Sequence, residues 1–474
     1  LKATKLESIL YGLATFLLFL PFFEYYNTPA ISDEFYYAHP SFFYQGLSQW
    51  FGLDFGHPPG WAIINWLGYS LFGVHLEVMR FISAGFSLLL CGFLFFYFRS
   101  SRLFGLSLFT LGLLSLNTFF HESLFLSYPI IATGFLASLG LVLYNNEKIG
   151  WAFLTMALAI SMRESALVLL FGILILNPSK RGLSFAGGQA FLFGLYHCLY
   201  YFKTGRLLLN TQVGITLKES APVGLHFLFS NFKELYLQNT SIVILIVYIC
   251  FFFFLRKERL SLAFSVMGII HFVFFTFYQD SAPRNTFLSN LFFICALASW
   301  LKRVELPRSR QVVISLLGII FFVWGHLSQH KHLDFEWKRV QARADMAFKV
   351  ETYIRQRNLN EVLTATNPDH SFFSDPFYGY VYKHRPTRWF GGIAGHNNLK
   401  GSVLLIVPYP ELVDNFATQQ MIEYAAKEGL AMRSFSHKEF KDVGYWLFFS
   451  KEAETTQKEE NRRTPYETLN SLIR

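Results

Sequence analysis

"HPPGWAIINWLGYSLFGVHLEVMRFISAGFSLLL", residues 57–90, is the stretch on which the fold turns. By hydropathy it is almost one continuous apolar run, yet it opens on two prolines and carries charge in its middle. Pro58 and Pro59 fix the entry of a following helix. That helix bears Trp61 and Trp66, which suit a membrane interface. The run from 77 to 98 is different: it has the roughly 20 apolar residues that a spanning helix needs.

Working outward, the whole chain has the same character. Its 474 residues are 53% hydrophobic, 19% aromatic and 15% charged, against about 25% charged in ordinary soluble domains. The mean hydropathy of +0.32 agrees. These values indicate a polytopic membrane protein. Cys91, Cys198, Cys250 and Cys295 each lie inside an apolar run, which argues against a disulfide framework. The net charge of +9 is explained by loops rather than by nucleic acid.

Spans are expected near 8–25, 77–98, 103–120, 124–144, 183–202, 241–255, 261–278, 286–301 and 311–328. The segment 149–176 reads as two short apolar runs hinged at "MRES", residues 162–165. Together these give about eleven membrane helices. One set of loops holds Lys2, Lys5, Arg99, Arg102, Lys148, Lys180, Arg181, Arg256, Lys257, Arg259, Lys302, Arg303, Arg308 and Arg310. The other set is poorer in Lys and Arg, and the 26–57 loop has neither. The positive-inside rule makes the first set and the N-terminus cytoplasmic. The 26–76 and 203–240 loops and everything after 328 then lie outside. On this charge map 58–72 is an interfacial helix, not a span.

From about 330 the composition changes. "FEWKRVQARADMAFKVETYIRQR", from residue 335, is an amphipathic helix pattern. "EVLTAT", "SVLLIVPYP" and "YWLFFS" read as short buried strands, and a helix is expected over 413–428. The expected organisation is a membrane domain over 1–328, a small extracytoplasmic α/β domain over 329–450, and a polar tail over 451–474.

The chemistry is concentrated outside. "SDEFYYAHPSFFYQ", residues 32–45, sets Asp33 beside Glu34 in a stretch too aromatic for a free loop. Carboxylates held against an interfacial aromatic layer are partly desolvated and orientable, which suits a base or a ligand. Arg163 and Glu164 lie between apolar runs, where an ionised residue is expensive and functional by default. They could also pair with each other and merely hold a hinge.

An acidic pair after the first span, "HPPGWAIINWLGYSLFG", and the run ending in "RSSRLFG" together resemble the GT-C membrane glycosyltransferases. The similarity is to the protein O-mannosyltransferase-like branch, which includes the lipid A aminoarabinose transferase. In that branch an acidic residue or Asp-Glu pair opens the first external loop. A His-Pro-Pro or Lys-Pro-Pro follows, and then an Arg near the second span. Asp33, Glu34, His57, Pro58, Pro59 and Arg80 match those positions. Arg163 takes the place of a basic residue deep in the outer-facing cavity. "YQDSAPRNTFLSNLFF" resembles the Arg-Tyr segment before a late span, with Arg284 as the Arg and Asn285 replacing the Tyr. Where many relatives carry an Asp in the second external loop, this chain has "FFHESLFLSYP", with Glu122 or His121 in its place.

The resemblance covers roughly residues 1–328. It implies a GT-C-like polytopic α-helical protein of the cytoplasmic (inner) membrane with an extracytoplasmic, periplasmic C-terminal domain. The implied activity is inverting transfer of a sugar from a polyprenyl-phosphate donor to a protein, lipid or glycan acceptor. Asp33 would act as general base and Glu34 would orient a ligand. His57, Arg80, Glu122, Arg163, Glu164 and Arg284 would bind substrate, with membrane lipids around them and no nucleic acid. Asp33, Glu34 and His57 could also hold a divalent metal ion, although their spacing names no metal site. A transporter, or a non-catalytic binder of lipid-linked glycan, would also bury charges such as Arg163 and Glu164. A transporter would need neither the acidic aromatic loop nor an outer domain, and no inverted repeat is visible.

Overall fold

In a computed structural model of the chain, the described residues are 2–25, 59–73, 76–99, 105–124, 126, 128–204, 231–237, 240–276, 286–356, 361–364, 387–389, 402–406, 423, 425–427, 429–440 and 444–449. In chain order the helices are α1 (Lys2–Tyr25), α2 (Gly60–Phe72), α3 (Leu76–Phe98), α4 (Leu106–Ser115), α5 (Thr118–Ser123), α6 (Pro129–Asn145) and α7 (Ile149–Met162). They continue with α8 (Leu169–Leu176), α9 (Lys180–Thr204), α10 (Ser241–Leu255), α11 (Arg259–Thr276), α12 (Thr286–Leu301) and α13 (Arg308–Gln356). The chain divides into two compact units, and the boundary falls inside α13, between Leu333 and Asp334.

Each expected span falls on a helix, with two differences. The run 103–120 is broken after Ser115. Asn117 caps α5, its side chain accepting from the Phe120 N–H at 2.9 Å, a polar residue's usual reason for stopping one helix and starting another. The run 124–144 begins as a helix only at Pro129, whose ring suits the first helical turn. Among the described residues, four helices are long and apolar enough to cross a membrane on length and composition alone. They run over Lys5–Phe23, Glu77–Phe98, Arg259–Thr276 and Arg308–Arg339, and six further apolar helices have 10–17 residues.

Side-chain contacts sort the helix ends into two groups. At one end, the Ser107 hydroxyl donates to Glu7 Oε1 at 2.6 Å and Lys302 Nζ donates to the Tyr97 carbonyl at 2.6 Å. Arg303 pairs with Glu258 at 3.1 Å. Burial and the adjacent Arg303 lower the Lys302 pKa from its ordinary value. Lys5, Arg99, Arg256, Lys257, Arg259 and Arg308 stand at the same ends of their helices. At the opposite end, Ser83 Oγ donates to the Leu126 carbonyl at 2.8 Å and Asn117 Nδ2 to Thr286 Oγ1 at 3.2 Å. Asn231 Nδ2 donates to the Thr276 carbonyl at 2.9 Å, and Thr240 Oγ1 donates to the Leu116 carbonyl.

Small residues let two of the helices touch backbone to backbone, as they do in membrane bundles generally. Gly105 opens α4 at φ 81°, with Ser315 against it. A Cβ on Gly112 would stand 2.2 Å from the Gly318 carbonyl oxygen, and one on Gly318 would stand 2.7 Å from the Phe109 nitrogen. Neither neighbour is a side chain that can swing away. Gly318→Ala should therefore cost about 1–3 kcal/mol through overpacking. It should lower the melting temperature of the detergent-solubilised protein. Gly85→Ala is the control, because a Cβ there meets nothing within 4 Å. Equal melting temperatures for the two variants would mean that the seam can open without loss.

The second unit holds a five-stranded sheet in the order β2-β1-β3-β5-β4. β1 (Glu361–Thr364) runs parallel to both β2 (Thr387–Trp389) and β3 (Ser402–Ile406). β5 (Gly444–Phe449) runs antiparallel to β3 and to β4 (Ala431–Ser436). Tyr445, Leu447, Phe448 and Phe449 of β5 are buried. Tyr353 of α13 packs its ring 5.8 Å from Phe449, and the Arg433 guanidinium lies 4.4 Å from the Tyr353 ring centre. The three expected strands are β1, β3 and β5. Within the helix expected over 413–428, the described helical residues are Glu423 and Ala425–Lys427. The tail 451–474 lies outside the described residues.

Candidate functional site

The "MRES" hinge is a true break between helices. α7 ends at Met162, Arg163 is extended (φ −157°, ψ 129°), and a 3-10 turn over Glu164–Val168 leads into α8. The backbone is not wasted at the break: the Arg163 N–H donates to Ala159 O at 3.2 Å, and Arg163 O accepts from Ala166 N at 3.0 Å. The Arg163 side chain is buried at 7% exposure and Glu164 is half-buried. A guanidinium held this deep in an apolar bundle is stable only with charged or polar company. His271 on α11 lies within electrostatic reach of Arg163, and His197 on α9 within reach of Glu164.

Helix α2 is docked against this break. A Cβ on Gly60 would lie 2.5 Å from Ser161 Oγ and 2.6 Å from the Ser161 carbonyl oxygen. The first turn of α2 thus rests on the last turn of α7, two residues before Arg163. Its leading N–H groups have no intrahelical acceptor, and Pro59 offers no side-chain cap. Trp61, 2% exposed, packs on Phe86 of α3 at 6.0 Å. The sequence dictates this placement: the prolines set the helix start, and only glycine allows so close an approach.

Arg80 is fully buried on α3. One turn on, Ser83 bonds the carbonyls of Ser123 and Leu126. This ties the Arg80 region to the end of α5, which carries Glu122, half-buried. Arg80, Glu122, Arg163 and Glu164 therefore all belong to the helix ends opposite the basic ones. Asp33, Glu34, His57 and Arg284 lie outside the described residues.

His121 packs between helices. It is buried, its Nε2 sits 2.8 Å from Ser115 O, and its ring centre is 6.2 Å from that of His326. His326 stacks in turn at 6.1 Å on His330, one turn along α13. These rings tie α5 to α13. His326 and His330 are not singled out by hydropathy, and their four-residue spacing is the one signal of the pair in the sequence. Among the described residues, no group of three or more His, Cys, Asp or Glu could hold a metal ion.

No family model and no curated protein matches the chain. Two crystal structures do match, along 95% of this chain and 99% of theirs. They are ArnT from Cupriavidus metallidurans bound to undecaprenyl phosphate, at TM-score 0.59 and 13% identity, and the same protein in the apo state, at 0.56 and 14%. ArnT is a lipid A aminoarabinose transferase with a GT-C fold.

The fold of this chain is GT-C-like.

At such low identity the likeness is one of architecture, and it covers nearly the full length. It agrees with the helical reading of 1–328 and with a multi-pass membrane protein. The kink at Arg163 and the docked α2 meet where Gly60 lies against Ser161, and Arg80 belongs to the same end of the bundle. What this chain's own residues contribute there is a buried cation beside a carboxylate, an uncapped helix start and a half-buried Glu122. Of these, a buried guanidinium and an uncapped helix start each favour an anion.

Proposed function

We propose that the chain is an inverting glycosyltransferase that moves a sugar from a polyprenyl-phosphate donor to an acceptor outside the cytoplasmic membrane. The observation that carries this reading is the buried Arg163 at a helix break, in a GT-C-like bundle, at the end away from the basic loops. A lipid-linked sugar phosphate needs a cation at membrane depth, and Arg offers a planar fork for phosphate oxygens. Nucleotide sugars are scarce outside the cell, so a lipid-linked donor suits that side. The neighbouring ArnT structure with undecaprenyl phosphate supports the same class of donor.

In this reading Asp33 takes the acceptor proton as the new bond forms at the anomeric carbon. Glu34 orients the acceptor or the sugar hydroxyls. Arg163, with Arg284 and His57, stabilises charge on the departing phosphate. Arg80, Glu122 and Glu164 shape the surrounding pocket. The unit beyond residue 329 is an extracytoplasmic domain, and the N-terminus is cytoplasmic.

The orientation is tested by labelling, in a background lacking the four native cysteines. Pro40→Cys and Ser220→Cys should react with an impermeant maleimide in intact cells, and Lys257→Cys should not. Labelling of position 257 but not 40 would put the acidic pair on the wrong side for a lipid-linked donor.

A further inference from the structure

Two buried imidazoles flank the break at Arg163. His271 is 2% exposed, and among the described residues neither of its ring nitrogens has a hydrogen-bond partner. His197 is 8% exposed and equally without partners. The Ser165 hydroxyl, in the same turn as Glu164, also lacks one among the described residues.

Such groups are costly, because the nitrogens give up water and gain nothing. Packing alone does not justify them. The His271 ring lies 4.6 Å from Phe275 and the His197 ring 4.2 Å from Phe193, so a phenylalanine would serve either position better. The two rings differ in what they face. Helix α11, which carries His271, packs on the turn after Arg163, and the Arg163 charge acts on His271 as the Glu164 charge acts on His197. An anion is drawn to the guanidinium side, so His271 is the ring that meets it. In either tautomer an imidazole carries at least one N–H donor. A phosphate has more lone pairs than one Arg fork can satisfy.

We propose that His271 is a ligand of the donor phosphate, its ring N–H donating to a nonbridging oxygen that Arg163 also holds. This rests on the reading that Arg163 meets the phosphate of a polyprenyl-phosphate donor.

The test measures affinity of the full-length protein in nanodiscs for undecaprenyl phosphate, undecaprenol and inorganic phosphate, with melting temperature alongside. His271→Phe keeps a ring and removes both nitrogens, and His271→Gln keeps a donor. His271→Phe should lose about tenfold or more in affinity for undecaprenyl phosphate. Its affinity for undecaprenol should stay within about twofold of the parent, and its ligand-free melting temperature should hold or rise. His271→Gln should recover part of the loss, and it carries the test if the Phe variant fails to fold. Inorganic phosphate should not compete. Competition by it would reassign the site to a free anion and overturn the lipid assignment. A His271→Phe affinity for undecaprenyl phosphate equal to the parent's overturns the proposal and leaves the Arg163 reading standing. A parent that does not distinguish undecaprenyl phosphate from undecaprenol overturns both.

Discussion

Asp33→Asn should slow turnover by roughly 10²–10⁴-fold, the range for losing a general base. Turnover is followed as polyprenyl phosphate released from the lipid-linked sugars of native membranes. Asn keeps the size and much of the hydrogen bonding of Asp but cannot accept a proton at neutral pH. The effect should therefore fall on rate. Undecaprenyl phosphate should still bind, because the phosphate contacts lie at Arg163 and its neighbours. Glu34→Gln should show a mixed loss of binding and rate if that carboxylate only orients a ligand. Both variants should express and insert normally, since neither touches a span. An Asp33→Asn enzyme with near-parental turnover would reduce the carboxylate to an acidic loop residue.

Arg163→Ala should weaken undecaprenyl phosphate binding by roughly ten- to a hundredfold, the scale of hydrogen bonds to a charged group. Arg163→Lys should fall between that variant and the parent. It keeps the positive charge but loses the planar fork, and its ammonium is more strongly hydrated and costlier to hold at 7% exposure. A purely structural Arg163 would behave differently. Both variants would then melt earlier while binding lipid like the parent, and the residue would be a hinge partner of Glu164.

The sequence made the helical frame readable wherever apolar length and breakers agree. Pro58 and Pro59 marked α2, and Arg163 with Glu164 marked the break that the structure places after Met162. Other features were hidden for identifiable reasons. Hydropathy falls between Ser328 and Asp334, which reads as the end of a span. No Gly or Pro interrupts residues 326–356, however, so the backbone stays helical and α13 runs unbroken to Gln356. Asp334 and Lys338 even join across the drop at 2.7 Å. β2 has only three residues, and β4 is an edge strand with exposed Met432, Arg433 and Ser434. Neither shows the alternation that announces a strand. The Gly112–Gly318 contact joins residues far apart in the chain, which periodicity cannot see.

Candidate site residues were legible when they broke a pattern. A charge inside an apolar run stands out, as Arg80, Arg163 and Glu164 did. His197 and His271 do not, because a lone histidine in a span looks like any tolerated polar residue. Their meaning comes only from burial without hydrogen-bond partners among the described residues and from the charges that act on them. His121 stood out beside Glu122, yet its contacts are with Ser115 and His326, which makes it a tie between helices.

On the proposed reading, a lipid-linked phosphate is held at Arg163. A cryo-electron microscopy map of the protein in nanodiscs with undecaprenyl phosphate tests it most directly. The predicted result is phosphate density within hydrogen-bonding distance of the Arg163 guanidinium, with the prenyl chain leaving along the apolar helices. Phosphate density at the basic helix ends around Lys302 and Arg303, with none at Arg163, would contradict it.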